Sequence, residues 1–502
     1  MSLIKKNIVA NFVGSIWTVL VSLLFIPVYL HFLDIEAYAL VAILATLLGM
    51  FAVLDMGLIQ TLTREIARLA VLQNSAREMR DVLRTLEIPY VLMGVAIGLG
   101  VIFFSPWVAH EWINNQTLST NTVQTAVMLM GLMIAIQWPL GFYCSGLVAL
   151  QEQVILNYIT SIMQTLRGVA SALVLWLWSP TIEAFFLTQF ATSGLHILIV
   201  RLILWRKLPF DPHPPRFRID LLRNIWRFAA GVAGIGLIGS LLMQLDKILL
   251  SKLLSLKVFG YYAIANVVSM NVYRLFGPIY SAIYPKLTNL LAQNNILKLA
   301  DFYHKSAQIL AVAVFPAVAI LVFFSYDVIL IWLQNIETAN NVAPLVSILV
   351  LGTMLNGIMH IPYGLQLAAG WTSLALRFGI FSLIIFAALL IILTKYYGVM
   401  GAAAAWPIQQ ALYVLFSLTL MHRRLLPDEK WRWYMLDVGY PMVLSFSPVI
   451  ISSLFKPDNM SITGTIFYLF MTYIISLATV ITGLPNMRQA LLKFWQMYAQ
   501  KK

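Results

Sequence analysis

Residues 8–31 read IVANFVGSIWTVLVSLLFIPVYLH, and this apolar run decides the fold class. About 20 such residues are enough for one helix to cross a bilayer. The run follows Lys5 and Lys6, and no small-residue cleavage site comes after it. It is also longer than the apolar core of a secretory signal peptide. We therefore predict a membrane helix that is retained in the mature chain.

The composition of the whole chain agrees with this reading. Of 502 residues, 61% are hydrophobic and 11% are charged, whereas about 25% are charged in an ordinary soluble domain. This excludes a soluble enzyme, a disordered chain, a fibrous repeat and a nucleic-acid-binding domain. The lone cysteine, Cys144, excludes an intrachain disulfide. The expected fold is all-α, a polytopic membrane protein.

Similar apolar runs recur along the chain and predict about 14 transmembrane helices. The predicted spans are 8–31, 38–58, 86–106, 122–146, 155–178, 182–204, 228–251, 258–284, 306–326, 342–368, 374–394, 400–421, 436–455 and 462–483.

The distribution of basic residues predicts the orientation of these spans. With an inside N-terminus, 24 of the 33 Lys and Arg residues fall on the cytoplasmic side and 4 fall outside. Basic residues collect on the cytoplasmic side of membrane proteins. We therefore expect a plasma-membrane protein with both termini in the cytoplasm. The outside segments, such as 107–121 and 327–341, are too short for a catalytic domain.

A weak internal repeat predicts two halves. Residues 6–8 (KNI) recur as 223–225 (RNI), and Arg64 after the second span corresponds to Lys286 after the eighth. The basic segment between the halves contains four prolines and is interpreted as a linker. The predicted organisation is a six-helix lobe, a cytoplasmic linker, a second six-helix lobe and a C-terminal part with two additional spans and a tail, with bounds 1–204, 205–227, 228–421 and 422–502.

Signatures of enzymes are missing from the sequence. There is no phosphate-binding loop with Walker spacing and no His-Glu-x-x-His motif, and the seven histidines show no metal-ligand spacing. We expect no catalytic residue, no metal and no cofactor, and no ATP hydrolysis by this chain.

Polar residues inside the spans are the most informative ones. A charged side chain at the bilayer centre costs about 2.5–3.5 kcal/mol, so it should face a wet interior or a partner. At 100° per residue, polar side chains align on spans 1, 5, 7 and 8. The alternative is that they hydrogen-bond between packed helices. The long side chains favour a cavity on spans 5 and 8: Asn157, Gln164 and Arg167 on span 5, and Tyr262, Asn266, Tyr273 and Arg274 on span 8.

Four other charged residues lie in or near spans. Asp246 is either an ion-coupling acid or the partner of a neighbouring basic residue. Asp55 is a second coupling candidate, or it caps the inner end of span 2. Arg201 and Arg377 are close enough to the inner surface to extend towards it as anchors.

Several of these stretches also carry a family resemblance. Residues 54–58 (LDMGL), 151–153 (QEQ), and above all 246–247 (DK) followed by 259–262 (FGYY) resemble the polysaccharide (O-antigen type) flippases of the multidrug/oligosaccharidyl-lipid/polysaccharide exporter superfamily. The family's usual glycine around position 37 or 39 is missing. The resemblance implies two six-helix lobes in a V around a central cavity, here with two extra C-terminal helices. It also implies movement of an undecaprenyl-diphosphate-linked oligosaccharide from the inner to the outer leaflet of the bacterial plasma membrane.

Such a substrate suits the polar residues identified in the spans. A diphosphate needs cationic partners, which Arg167, Lys247 and Arg274 offer, and sugars need aromatic faces such as those of Tyr262 and Tyr273. Asn157, Gln164 and Asn266 complete the predicted substrate-binding set, with Asp246 and Asp55 for ion coupling. The expected partners are the lipid-linked glycan, membrane lipids and other polysaccharide-assembly proteins.

Three other functions stay open. A multidrug/cation antiporter of the same superfamily would favour acidic rather than basic cavity residues. A lipid II flippase shares the count of fourteen spans but carries arginines on its first helix, and span 1 has none. A membrane-embedded polysaccharide polymerase would need a larger outer loop.

Overall fold

The computed structural model describes residues 3–55, 57–72, 75–220 and 239–489. These residues form helices joined by short connections, and within them the only β-type pairing is an isolated bridge between Asn114 and Ser255. Contacts divide the chain into two compact units, Met1–Gly260 and Tyr261–Lys502. The six-helix lobes with the boundaries given above stay a prediction.

The first unit contains the helices α1 to α8 and the start of α9. Their bounds are α1 Leu3–Phe32, α2 Ile35–Phe51, α3 Leu58–Leu69, α4 Ala76–Trp107, α5 Thr120–Ala149, α6 Gln153–Leu177, α7 Ile182–Lys207 and α8 239–253. Helix α9, Leu256–Asn271, begins in this unit and continues into the second.

The second unit contains the remaining helices. They are α10 Tyr273–Ala292, α11 Ile296–Phe323, α12 Ser325–Leu333, α13 Ile336–Ile358, α14 His360–Ala368, α15 Thr372–Leu425, α16 Lys430–Leu454 and α17 Ile462–Gly483. Helix α15 contains two arms, because Gly398 interrupts it at φ 57° and ψ −143°. Helix α16 contains a π-helical segment, Trp433–Gly439.

The helices confirm the polytopic all-α class. Ten helices in the described residues are long and apolar enough to cross a membrane, and one of them is the double-armed α15. These helices are compatible with fourteen spans. The first part of the predicted span 228–251 and the repeat segment 223–225 lie outside the described residues.

Two segments predicted as loops contain helices. Helix α3 lies in the predicted cytoplasmic loop 59–85, where it buries Leu62, Ile66 and Leu69 and exposes Arg64 and Arg68. Its apolar residues recur every three or four positions, so they form one buried stripe rather than a continuous run. Helix α12 likewise lies in the predicted outer segment 327–341. Run length alone therefore misses short helices next to the spans.

Hydrogen bonds to Glu36 fix one end of the first unit. Glu36, in the first turn of α2, is 1% exposed. Its carboxylate accepts backbone N–H bonds from Gln116, Thr117 and Leu118 at 2.9–3.0 Å and the Thr117 hydroxyl at 2.8 Å. A buried carboxylate satisfied in this way holds the loop between α4 and α5 on the start of α2.

The FGYY stretch is positioned at the same end. The Leu256 amide donates to the Asn114 carbonyl at 2.7 Å, and the Trp112 indole donates to the Ser251 hydroxyl at 3.0 Å. A Cβ on Gly260 would lie 2.8 Å from the Ile35 carbonyl oxygen. The glycine of this motif is therefore needed for the close approach of α9 to the start of α2.

The described part of the predicted linker is bound to α4. The Arg216 amide donates to the Asp81 carboxylate at 2.7 Å, and the Arg218 amide donates to the Thr85 hydroxyl at 3.0 Å. Both acceptors are buried on α4. This part of the linker therefore runs along the first unit.

Candidate functional site

Polar residues on one face of α6 form hydrogen bonds with α1. The Asn157 amide donates to Asn11 Oδ1 at 2.6 Å and to the Gln153 carbonyl at 2.8 Å. A Cβ on Gly14 would lie 2.4 Å from Asn157 Oδ1. The Trp17 indole also donates to the Thr165 hydroxyl at 3.0 Å. These hydrogen bonds join packed helices. For the polar residues of span 1 they therefore favour hydrogen bonding between helices over the lining of a cavity.

Arg167 lies further along α6 and differs from Asn157. Its Nε is buried and has no hydrogen-bond partner within the described residues. Tyr29 on α1 and His196 on α7 interact with it electrostatically, and no carboxylate pairs with it in the described part of the chain. A guanidinium in such surroundings is well suited to receive an anion.

Lys247 and Asp246 form a pair on α8. The Lys247 ammonium donates to the Asp246 carboxylate at 3.2 Å and to the Met243 carbonyl at 2.8 Å. Asp246 is 5% exposed, and its pairing agrees with the alternative in which it neutralises a basic neighbour.

Lys247 also lines a cavity in the first unit. The cavity has a volume of about 450 Å³, and its other walls are mainly apolar side chains of α2, α4 and α8, including Ile43, Met50, Phe104 and Ile248. Lys247 is the charged residue among those lining it. An apolar chain that ends in an anionic group matches this lining.

Asp55 has a local structural role. Its carboxylate accepts a hydrogen bond from the Ile59 amide at 3.2 Å, where α3 begins. An acid at this position satisfies a free N–H group of the helix. Asp55 therefore caps the start of α3, whereas the alternative from the sequence placed the cap at the inner end of span 2.

The predicted stripe on span 8 is divided between two helices. The sequence predicts one helix over 258–284, whereas α9 ends at Asn271 and α10 begins at Tyr273. Tyr262 and Asn266 on α9 are buried, at 0% and 4% exposure. Arg274 on α10 is exposed, and its Nε donates to Asn271 Oδ1 at 3.0 Å.

The remaining residue of this stripe, Tyr273, packs in an aromatic cluster. Its ring lies 5.6 Å from Phe276 and 6.2 Å from His360. Its hydroxyl is buried without a hydrogen-bond partner among the described residues. The span-8 candidates therefore differ in exposure, with Arg274 the accessible one.

The structure groups the sequence-predicted residues by helix. Helix α6 carries Asn157, Gln164 and Arg167, and helix α8 carries Lys247 and Asp246 side by side. Arg167 on α6 makes no direct bond to Lys247 on α8. The other candidates, which belong to the second unit, are Tyr262, Asn266, Tyr273 and Arg274.

A charged cluster in the first unit was not predicted. Glu87 on α4 accepts hydrogen bonds from Arg201 at 2.7 Å, Tyr143 at 2.7 Å and Arg84 at 3.0 Å. The Glu87 side chain is 4% exposed. Arg201, predicted as a surface anchor, is also the partner of a buried acid. The sequence carries the acid and the arginine 114 positions apart, so their pairing is not visible in a helical pattern.

A second unpredicted cluster lies in the second unit. His304 on α11 contacts two carboxylates, those of Glu429 and Asp437. Asp437 falls within the predicted span 436–455, and an acid inside a span indicates a functional or paired site. That signal identifies Asp437, but it does not reveal His304.

Three comparisons relate the chain to known proteins. A family model described as polysaccharide biosynthesis protein matches residues 4–291. A putative O-antigen transporter of Shigella flexneri is 21% identical over 425 residues, covering 84% of this chain and 98% of the relative.

Solved structures show the same fold at low sequence identity. The lipid II flippase MurJ in its inward closed conformation aligns with a TM-score of 0.71 and 14% identity, covering 95% of this chain and 98% of that one. An inward-facing multidrug resistance transporter of the MATE family aligns with a TM-score of 0.65 and 14% identity, covering 81% and 94% of the two chains.

Proposed function

Because the chain belongs to the polysaccharide biosynthesis protein family, we propose that it is a flippase for a lipid-linked glycan. It moves an undecaprenyl-diphosphate-linked oligosaccharide or polysaccharide precursor from the inner to the outer leaflet of the bacterial inner membrane. The observation that carries the proposal is the alignment with a putative O-antigen transporter over 98% of that protein's length.

The charges inside the helices support this substrate class. The substrate's diphosphate is anionic, and Arg167 is a cation without a paired carboxylate in the described residues. Arg274 is a second, exposed cation, whose Nε is bound to an amide oxygen rather than to an acid. The substrate-binding set proposed here is Arg167, Lys247, Arg274, Tyr262, Asn266, Tyr273, Gln164 and Asn157.

The lipid part of the substrate has a candidate place of its own. The cavity beside Lys247 is apolar over most of its lining and has a volume of about 450 Å³. It accommodates a segment of a prenyl chain, with the ammonium of Lys247 near the anionic end. The rest of the chain stays in the bilayer.

The decisive experiment is deletion of the gene in its host. We expect a lipid-linked glycan intermediate to accumulate on the inner leaflet and surface glycan to disappear, with both restored by the wild-type gene. Transport into vesicles should continue without ATP hydrolysis by this chain and stop when the ion gradient and the membrane potential are collapsed. Asp246 and Asp55 are the coupling residues proposed for this step.

Two outcomes would contradict this function. Normal surface glycan with increased sensitivity to cationic drugs would instead support a multidrug antiporter. Accumulation of a free polymerisation substrate already on the outer leaflet would support a polymerase.

We further propose that both termini are cytoplasmic. In a Cys144→Ser background, single cysteines near Asn115, Glu337 and Asn459 should react with a membrane-impermeant reagent added to intact cells. Cysteines at Ser75 and Pro214 should react only after the cells are opened. The expected result follows from the 24-to-4 bias of basic residues, and labelling of Ser75 or Pro214 from outside would contradict it.

A further inference from the structure

His304 lies between two carboxylates in the second unit. Its Nδ1 is bonded to Asp437 Oδ2, and its Nε2 lies 2.9 Å from Glu429 Oε2. The side chains of His304 and Asp437 are 2% and 1% exposed, and that of Glu429 is 26% exposed. The two acids come from α16 and the residue before it, whereas the histidine comes from α11. The cluster therefore ties the start of α16 to α11.

This geometry fixes the number of protons in the cluster. A neutral imidazole has one N–H donor and one lone pair, so it can donate to only one carboxylate. Two contacts require either an imidazolium between two carboxylates or a neutral imidazole that accepts from a protonated acid. Both arrangements hold one proton more than a neutral histidine between two ionised acids. Loss of that proton would place a lone pair against a carboxylate in a buried site.

The groups around the cluster hold its members in place. The Gln308 amide donates to Asp437 Oδ1 at 2.9 Å, and the Asn486 amide donates to Gln308 Oε1 at 2.9 Å. Gln308 follows His304 by one helical turn on α11, and Asn486 follows α17. Both carboxylate oxygens of Asp437 are therefore bound, and the site depends on helices α11, α16 and the segment after α17.

Other ionisable groups face the cluster from neighbouring elements. Arg432 lies 3.5 Å from Glu429 and also interacts with Asp437. The Tyr303 hydroxyl lies 3.4 Å from His422 Nε2. The ionisable groups that surround the three residues are Tyr303 on α11, His422 on α15, and Lys430, Arg432 and Tyr434 on α16. Arg432 therefore neutralises part of the negative charge of the two acids, beside the bound proton.

We propose that His304, Asp437 and Glu429 form a proton-binding site, and that the bound proton holds the π-helical segment Trp433–Gly439 on α11. A π-helical segment inside an α-helix is a common feature of functional sites, and here it carries Asp437. When the proton leaves, the segment separates from α11. The site makes the second unit sensitive to pH whatever substrate the protein moves.

Hydrogen exchange of the purified full-length protein in lipid nanodiscs tests this proposal. Exchange in residues 433–439 is measured from pH 6 to pH 9 and corrected for the intrinsic dependence of amide exchange on pH. If opening releases one proton, the opening equilibrium should rise by up to about tenfold per pH unit between the pH at which the open segment loses the proton and the higher pH at which the closed one does, and it should level off above the latter. An opening equilibrium that does not change with pH overturns the proposal. The assay does not involve transport, so its result tests the proton site independently of the proposed flippase function.

Substitutions identify the residues responsible. His304→Gln keeps an amide donor for Asp437 but cannot titrate, so the pH dependence of residues 433–439 should disappear. The matched control is His213→Gln, because His213 also pairs with a carboxylate, Asp211 at 3.1 Å, but is exposed in the linker. This control should retain the full pH dependence.

A second variant covers the case in which His304→Gln does not fold. Glu429 is the most exposed member of the cluster, so Glu429→Gln should leave the fold intact. It removes one of the two carboxylates that favour the bound proton, so the pH at which the segment opens should fall. Unchanged opening in Glu429→Gln, or a full pH dependence in His304→Gln, would show that these residues do not form the proton site.

Discussion

Arg167→Glu is expected to abolish glycan export while the protein remains in the membrane at near-normal abundance. No carboxylate pairs with Arg167 in the described residues, and its Nε is unbonded, so its replacement takes no partner away from an acid of the native protein. The new carboxylate would repel the substrate's diphosphate. Export is measured as surface glycan, and abundance as detergent-extracted protein, in the same cells.

A series of substitutions separates charge from geometry at this position. Arg167→Lys keeps the charge but loses the two-pronged hydrogen bonding of the guanidinium, so partial export should remain. Arg167→Ala should export little. The control is Arg377→Ala, which removes another arginine predicted inside a span but is exposed on α15; its export should be normal. Normal export by Arg167→Glu at normal abundance would exclude Arg167 from the substrate path.

Glu87→Ala is expected to have the largest effect on stability in the first unit. It leaves Arg201, Arg84 and Tyr143 without their shared acceptor. Removing one partner of a buried ion pair costs about 3–5 kcal/mol. The two arginine side chains are 38% and 41% exposed, so we expect about 3 kcal/mol, at the lower end of that range. Thermal unfolding in detergent and membrane abundance both report this loss.

A more exposed pair in the same unit provides the control. Glu65 lies 2.9 Å from Arg68, whose side chain is 50% exposed. Glu65→Ala should therefore cost less than about 1 kcal/mol. Glu87→Gln should be intermediate, because it keeps an acceptor for Tyr143 but loses the charge. Equal stability of Glu87→Ala and Glu65→Ala would show that the Glu87 cluster does not stabilise the unit.

The spans could be predicted from the sequence because a bilayer imposes a length on each apolar run. Helix α3 shows the limit of that rule, since its apolar residues occupy one face and never form a run. The break between α9 and α10 was also missed. The apolar composition continues across Val272, whose backbone keeps helical angles of φ −60° and ψ −28°, so nothing in a hydropathy profile marks the break.

The candidate site was predicted in part. Helical periodicity placed Asn157 and Arg167 on one face of α6, but it could not tell that Asn157 bonds to Asn11 whereas Arg167 has no paired acid. That difference depends on α1, which lies far away in sequence. The bond between His304 and Asp437 likewise joins residues 133 positions apart. Such pairs are fixed by tertiary packing, so no local pattern predicts them.

Gly398 has a consequence for how the protein is made. It reverses the chain within α15 through a single residue in the left-handed region, and the arms on either side are helical up to that point. No hydrophilic segment separates the arms during synthesis, and Lys395 is the charged residue beside the reversal. We therefore expect the translocon to release the two arms into the lipid together, as one helical hairpin, rather than one after the other.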